Sequence, residues 1–151
     1  MKKTITNTLA IFSFLLLLDC LPSCTKSNNA SAVSLTGTWN GTMTPKSPNP
    51  NNYQAGTINM ALTQSGSNVT GTFTLTQNAV GGTGNVSGTI SGSAVNLTLR
   101  ETYPTNPASR NYYSDMNLTV NANYTNISGT FNIYDGSGGF YYLGLLTAGK
   151  Q

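Results

Sequence analysis

From Leu35 onward, apolar and polar residues alternate with a period of two. Leu35, Trp39 and Met43 interleave with Thr36, Thr38, Asn40, Thr42 and Thr44. Ile58, Met60 and Leu62 interleave with Thr57, Asn59, Ala61 and Thr63, and Val69, Phe73 and Leu75 with Thr70, Thr72, Thr74 and Thr76. The period continues over Val86 and Ile90, over Val95, Leu97 and Leu99, over Met116, Leu118, Val120 and Tyr124, and over Ile127, Phe131 and Ile133. Phe140 to Leu146 is apolar on both parities. A run with one apolar face and one Thr/Asn/Ser face is the signature of a half-buried antiparallel strand. No window supports a long amphipathic helix. The pattern predicts an all-β fold of eight strands, at about 34–44, 53–64, 68–77, 84–92, 94–103, 110–125, 126–135 and 139–148.

Three segments echo one another: Val69-Thr-Gly-Thr-Phe73, Val86-Ser-Gly-Thr-Ile90 and Ile127-Ser-Gly-Thr-Phe131. Gly71, Gly88 and Gly129 fall on the apolar parity, as do Gly37, Gly41 and Gly92. Inward Gly marks the sharp bends that a small closed barrel needs. The expected architecture is an eight-stranded antiparallel up-and-down barrel, with a β-sandwich as the alternative. Closure removes the two exposed edges that an open meander would leave.

The links sort by length. Segments 45–52, 78–83, 104–109 and 136–138 are longer or Gly-rich, whereas 65–67, Ser93 and the junction at Thr125 and Asn126 are tight. Alternate links of a meander lie at the same end, so longer loops frame a mouth and tight turns close the other end. Seven of the eight Tyr fall at the long-loop ends of strands; Tyr124 is the exception. The candidate ligand-binding residues at this mouth are Tyr53, Glu101, Tyr103, Arg110, Tyr112 and Tyr141. By parity Glu101 points inward with Leu97, Leu99 and Tyr103. An inward carboxylate is costly unless paired or wet, and Arg110, across the hairpin, is the expected partner. A structural pair or a solvated rim position competes with ligand contact as the role of Glu101.

Composition narrows the chemistry. Of 151 residues only 7% are charged, there is no His, and the two Cys lie at positions 20 and 24. A His-based triad, a His or Cys metal cage and a thiol nucleophile are therefore excluded from the predicted barrel, and no cofactor is expected. Clustered Lys/Arg, which nucleic acid would need, are also lacking there.

Lys2 and Lys3 followed by a run from Leu9 to Leu18 that is apolar except for Ser13 read as a secretory signal peptide. The run ends in Leu21-Pro22-Ser23-Cys24, which resembles the lipobox of bacterial lipoproteins. That resemblance implies cleavage before Cys24, its lipidation, and an anchor in the bacterial cell envelope, with the outer membrane expected. Cys20 is the competing site, but Asp19 precedes it where a small residue is required. The expected organisation is a signal peptide over 1–23, a lipidated Cys and flexible tether over 24–33, and a barrel domain over 34–149. The chain of 151 residues less its first 23 leaves 128, carrying five Lys/Arg against three Asp/Glu, a net charge of +2. A flexible tether of roughly nine residues, Thr25 to Val33, would reach about 15–18 Å.

Leu35-Thr-Gly-Thr-Trp39 resembles the Gly-x-Trp start of lipocalin-like (calycin) barrels. In that superfamily the Trp packs across the closed end, which is the role the resemblance implies for Trp39. A Thr-Asp-Tyr-like motif, a basic residue after the last strands and a C-terminal helix, all usual in lipocalins, are not discernible. Avidin-type barrels begin similarly, but their biotin pocket needs further Trp that this chain lacks.

The leading functional expectation is a membrane-anchored, non-catalytic module that binds a small apolar or amphiphilic ligand at the barrel mouth. An eight-stranded barrel is just wide enough to be filled by side chains or to hold one small ligand, so cavity volume discriminates: an interior with no void larger than about one water excludes an internal ligand. The alternative is an envelope structural or interaction protein (an adhesin, an inhibitor or a complex subunit) with no internal ligand. Catalysis is not expected, since Glu101, Asp115 and Asp135 are the only carboxylates beyond the signal peptide and no Ser has a His to activate it. A membrane-spanning barrel would need the apolar faces turned outward. Starting strand one at the tight end, the tether leaves the closed end and the mouth faces away from the anchoring membrane.

Overall fold

The computed structural model describes residues 34–46, 53–77, 81–104 and 112–151, with the side chains of Tyr103 and Pro104 outside that description. It contains eight strands: β1 (Gly37–Pro45), β2 (Gly56–Ser65), β3 (Asn68–Thr76), β4 (Gly82–Ser91), β5 (Ala94–Pro104), β6 (Tyr113–Val120), β7 (Asn126–Tyr134) and β8 (Phe140–Lys150). They form a closed barrel in sequence order, every neighbouring pair antiparallel. β1 closes on β8 with Trp39 opposite Lys150 and Met43 opposite Leu146. The barrel, not the sandwich, is the architecture.

Period-two patterning drives this result. The apolar parity of each strand turns inward, burying Trp39, Met43, Ile58, Met60, Val69, Leu97, Met116, Ile127, Phe131 and Leu146 together. The Thr/Asn parity turns outward, and the only large hydrophobics exposed among the described residues are Phe140 and Leu145. This is the reverse of what a bilayer-spanning barrel presents to lipid.

The turns follow from their residues. Gly66-Ser67 joins β2 to β3 and Gly92-Ser93 joins β4 to β5, with φ of +59° and +58° at the two glycines. Gly first, followed by a residue at negative φ, suits the II′ hairpin turn whose twist matches the strands. Gly92 thus serves a turn and not an inward bend. The β6–β7 link differs more from expectation, because β6 stops at Val120 and five residues, 121–125, make the turn. Asn121 organises it: its side-chain oxygen accepts from the backbone N–H of Thr125 (2.8 Å) and Asn126 (3.1 Å). Side-chain bonding to the local backbone competes with the ladder in this way. Tyr124 sits in this turn at φ +54° and not on the inner face of a strand.

Close strand approach explains the inward glycines of the echoed segments. A Cβ on Gly71, Gly88 or Gly129 would lie on the carbonyl oxygen of Ala61, Asn96 or Asn117 of the neighbouring strand. Only a residue without a side chain lets the wall curve there.

Among the described residues two bulges interrupt the ladder, both at the long-loop end. On β5, Gly84 pairs with Glu101 and Thr83 with Tyr103, leaving Thr102 extra. On β8, Ile133 pairs with Tyr142 and Tyr134 with Phe140, leaving Tyr141 extra. A bulge re-aims side chains and ends simple alternation, so Tyr103 does not continue the register of Glu101.

The closed end is fixed by Trp39 and by both ends of the domain. Trp39 is fully buried, and its indole N–H donates to the Leu35 carbonyl at 2.8 Å. Lys150 Nζ lies 5.8 Å from the centre of the Trp39 ring and donates to the Ser34 carbonyl at 2.7 Å. The Leu35 N–H donates to the Gln64 side chain beside the β2–β3 turn. Ser34 therefore lies at the tight-turn end, opposite the mouth. Cys20, Cys24 and the signal and tether segments lie outside the described residues.

Candidate functional site

The mouth combines a half-buried carboxyl, a buried hydroxyl and an aromatic rim. β5 and β6 supply the polar pair. Glu101 and Tyr112 lie opposite each other: the Glu101 N–H donates to the Tyr112 carbonyl at 3.1 Å, and the Tyr112 N–H donates to Glu101 Oε2 at 3.4 Å. Ser114 lies two residues beyond Tyr112 on the same inward face, opposite Leu99. Diagonal neighbours of this kind sit about 7–8 Å apart at Cα and closer at Cβ, and both side chains line one recess.

These two side chains border a recess whose other walls are Met43, Phe73, Leu75, Leu99 and Ile133. The free space in it is about 20 Å³, and one water needs about 10–15 Å³ measured this way. Below it lie the buried side chains of Met60, Leu97, Met116 and Phe131. A larger space of about 250 Å³ lies on the outer wall of β1–β3, but its polar lining is exposed Thr and Asn. The mouth recess is the better candidate because its polar groups are desolvated.

Burial acts on both polar groups. It pushes the Glu101 carboxyl above its ordinary value of 4.5, and the Tyr112 N–H only partly offsets this by stabilising the anion. Ser114 is 6% exposed, and its hydroxyl has no hydrogen-bond partner among the described residues. A buried hydroxyl left unpaired costs on the order of 1–3 kcal/mol. Such groups are uncommon in folded proteins and call for an explanation.

The rim is a continuous set of rings. Tyr112 and Tyr141 have ring centres 5.1 Å apart, Tyr141 and Tyr53 5.3 Å, and Tyr53 stacks on Tyr142 at 4.5 Å. Tyr142 then meets Phe131 edge-on at 5.9 Å, joining the rim to the core. The bulge on β8 is what brings Tyr141 over the mouth. Tyr142 itself is buried and donates its hydroxyl to Gln77 Oε1 at 2.8 Å. Burial, with a smaller contribution from Tyr141, pushes its phenol up to about 12.

Of the residues expected at the mouth, Tyr53, Glu101, Tyr112 and Tyr141 are brought together. Arg110 and the Tyr103 side chain lie outside the described residues, and so does the expected Glu101–Arg110 pair. The other mouth-end groups separate. Tyr113 borders the recess but stacks on Tyr134 at 4.9 Å, with the Arg100 guanidinium 5.4 Å from its ring centre and Phe140 edge-on to Tyr134. These four are successive cross-strand partners on β5–β8. Asp135 organises the β7–β8 turn, accepting from the N–H of Ser137 (3.0 Å) and of Gly139 (2.9 Å). Asp115 accepts from the Thr98 hydroxyl at 2.9 Å on the outward parity.

Two placements are not visible in the sequence pattern. Ser114 falls on an apolar parity without announcing itself, and only its position opposite Leu99 and beside Glu101 makes it part of a site. Lys150 reads as a terminal charge, yet it is a basic residue at the end of the last strand, packed over Trp39. Among the described residues no cluster of three or more His, Cys, Asp or Glu is placed to hold a metal.

Compared with family models, curated proteins and solved structures, the chain matches none.

Proposed function

We propose that this protein is a lipocalin-like, non-catalytic lipoprotein of the bacterial cell envelope that takes a small apolar or amphiphilic ligand at its barrel mouth. The observation that carries the reading is the recess itself: apolar walls around Glu101 and the Ser114 hydroxyl, which has no partner among the described residues. The recess is far smaller than the usual small-molecule pocket of about 300–1,000 Å³, so what supports the reading is the convergence of desolvated polar groups and a perturbed carboxyl at one apolar opening. Lipocalin-like kinship draws support from the Gly-x-Trp start at Gly37 and Trp39 and from Lys150 across the indole. Anchoring rests on the Leu21-Pro22-Ser23-Cys24 motif. With Ser34 at the closed end, a tether from Cys24 would hold the mouth away from the membrane.

The non-catalytic part rests on how the carboxyls are distributed. Glu101 faces inward, Asp115 bonds Thr98 on the outward parity, and Asp135 holds a turn. No two of them are arranged as an acid–base pair across a shared cleft.

One observation favours a second reading, an envelope interaction protein without an internal ligand. The recess has room for about one water, so a guest must sit at the mouth and not deep in the barrel. Native mass spectrometry of the full protein purified from its own host separates the two. Recovery with a bound small molecule, lost in Tyr141→Ala, is the expected result. A bare barrel recovered with one stoichiometric protein partner overturns it. Anchoring is tested by fatty-acid labelling, which should disappear in Cys24→Ser and persist in Cys20→Ser.

A further inference from the structure

We propose that the mouth recess is a head-group site for a primary amine, which seats its ammonium between Glu101 and Ser114 and lays its apolar remainder across Tyr112 and Tyr141. The inference rests on the mouth-binding reading above and deepens it by fixing the chemistry and orientation of the ligand.

Volume sets the orientation. About 20 Å³ is free between the polar pair and the apolar walls. That space suits a group the size of a water, as an ammonium is, and it excludes an alkyl chain or an aromatic ring. The head enters and the body stays at the rim.

Hydrogen bonding sets the chemistry. Glu101 has one long side-chain hydrogen bond among the described residues, from the Tyr112 N–H at 3.4 Å. Its carboxylate is an acceptor only and retains lone pairs facing the recess. The Ser114 hydroxyl, buried and without a partner among the described residues, has acceptor capacity to spare. An ammonium carries three donors and no acceptor, so it serves both oxygens at once. Its charge offsets the desolvation of the carboxylate, which a neutral alcohol does not do. A carboxylate ligand would place like charges together. The rim fits the same ligand, since the faces of Tyr112 and Tyr141 attract cations and accept apolar surface.

The test is a titration of the full chain in non-ionic detergent, read by NMR at the backbone amides of Glu101 and Ser114. Three probes of one shape are used: phenethylamine, 2-phenylethanol and phenylacetate. Phenethylamine should shift both amides saturably, 2-phenylethanol should bind about tenfold more weakly or worse, and phenylacetate should not bind. Glu101→Gln should remove the preference for the amine, and Ser114→Ala should weaken the amine about threefold or more. Near-UV circular dichroism and Trp39 fluorescence check that each variant is folded. Should Glu101→Gln fail that check, Ser114→Ala and the three-probe ranking on the unaltered protein decide alone. Equal binding of the alcohol or the acid at the same amides overturns the amine head group while leaving the mouth-binding reading in place. Unchanged amine affinity in folded Glu101→Gln does the same. Failure of all three probes to shift either amide overturns the amine site and removes the support the recess gives to mouth binding.

Discussion

The Lys150 ammonium caps the Trp39 indole, 5.8 Å from its ring centre, while donating at 2.7 Å to the Ser34 carbonyl. One side chain thereby joins the last strand, the first strand and the segment that enters the barrel. Gly37 makes room for it: a Cβ there would meet Lys150 Cε at 2.8 Å. Lys150→Met keeps the apolar stem and removes the charge. It should lower unfolding free energy by about 1 kcal/mol, the joint loss of a partly exposed cation–π contact and a charge-assisted hydrogen bond. Urea unfolding followed by Trp39 fluorescence measures this. An unchanged midpoint would show that the cap carries no stability.

Gly88 and Gly92 should respond differently to the same substitution. Gly88→Ala drives a Cβ into the Asn96 carbonyl and against Leu97 in a wall that cannot move without reopening the ladder. The expected cost is about 2–3 kcal/mol or a failure to fold. Gly92→Ala meets nothing within 4 Å and bears only the strain of φ +58° in a turn. That cost is about 1 kcal/mol. Comparable midpoints for the two variants in urea would contradict the close-approach explanation of the inward glycines.

The contrast between these glycines also shows what the sequence carries. Period-two alternation sets which parity is buried, and eight such runs with short links leave few ways to hide two edges, so strand number, direction and closure were all legible. The failures have local causes. Asn121 draws the chain into a five-residue turn by bonding Thr125 and Asn126, a competition that alternation cannot register. Tyr141 belongs at the mouth by its position in the chain, but its contact with Tyr53 and Tyr112 depends on a bulge. The trace of that bulge is the Phe140-Tyr141-Tyr142 run, apolar on both parities. Ser114 left no trace, because a single Ser on an apolar parity is ordinary until its neighbours across the strand are known.

Tyr142 predicts an alkaline limit to stability. Its phenol is pushed up from 10.0 to about 12 in the folded barrel. A folded-state value above the unfolded one means that the fold holds the proton more tightly. The contribution is therefore complete below about pH 10 and is lost as pH rises towards 12. Tyr142→Phe should lose about 1 kcal/mol at neutral pH with the Gln77 bond. It should also show a shallower decline than the unaltered protein between pH 10 and 12. Parallel declines in urea midpoints over that window would mean that Tyr142 ionises as freely folded as unfolded.

Glu101 predicts a dependence at the acid end, again with a raised folded-state value. The neutral acid is the form the recess prefers. The carboxyl favours the fold most below the unfolded value of 4.5, and that contribution falls away as pH rises through 4.5 to the raised value. Above it, an ionised carboxylate sits partly desolvated. Among the described residues no cation faces it: Arg100, its chain neighbour, lies over Tyr113, and Tyr112 is the adjacent titratable group. Glu101→Gln keeps the shape and removes the charge. The variant should match the unaltered protein below about pH 4 and exceed it in thermal midpoint at about pH 7. An amine that pairs with the carboxylate should narrow this gap at neutral pH and leave it unchanged in acid, because only the ionised form gains a partner. Thermal midpoints of both proteins across pH, with and without phenethylamine, measure the two effects together. A variant less stable at pH 7 than the unaltered protein would mean that the carboxylate already has a compensating partner at the mouth.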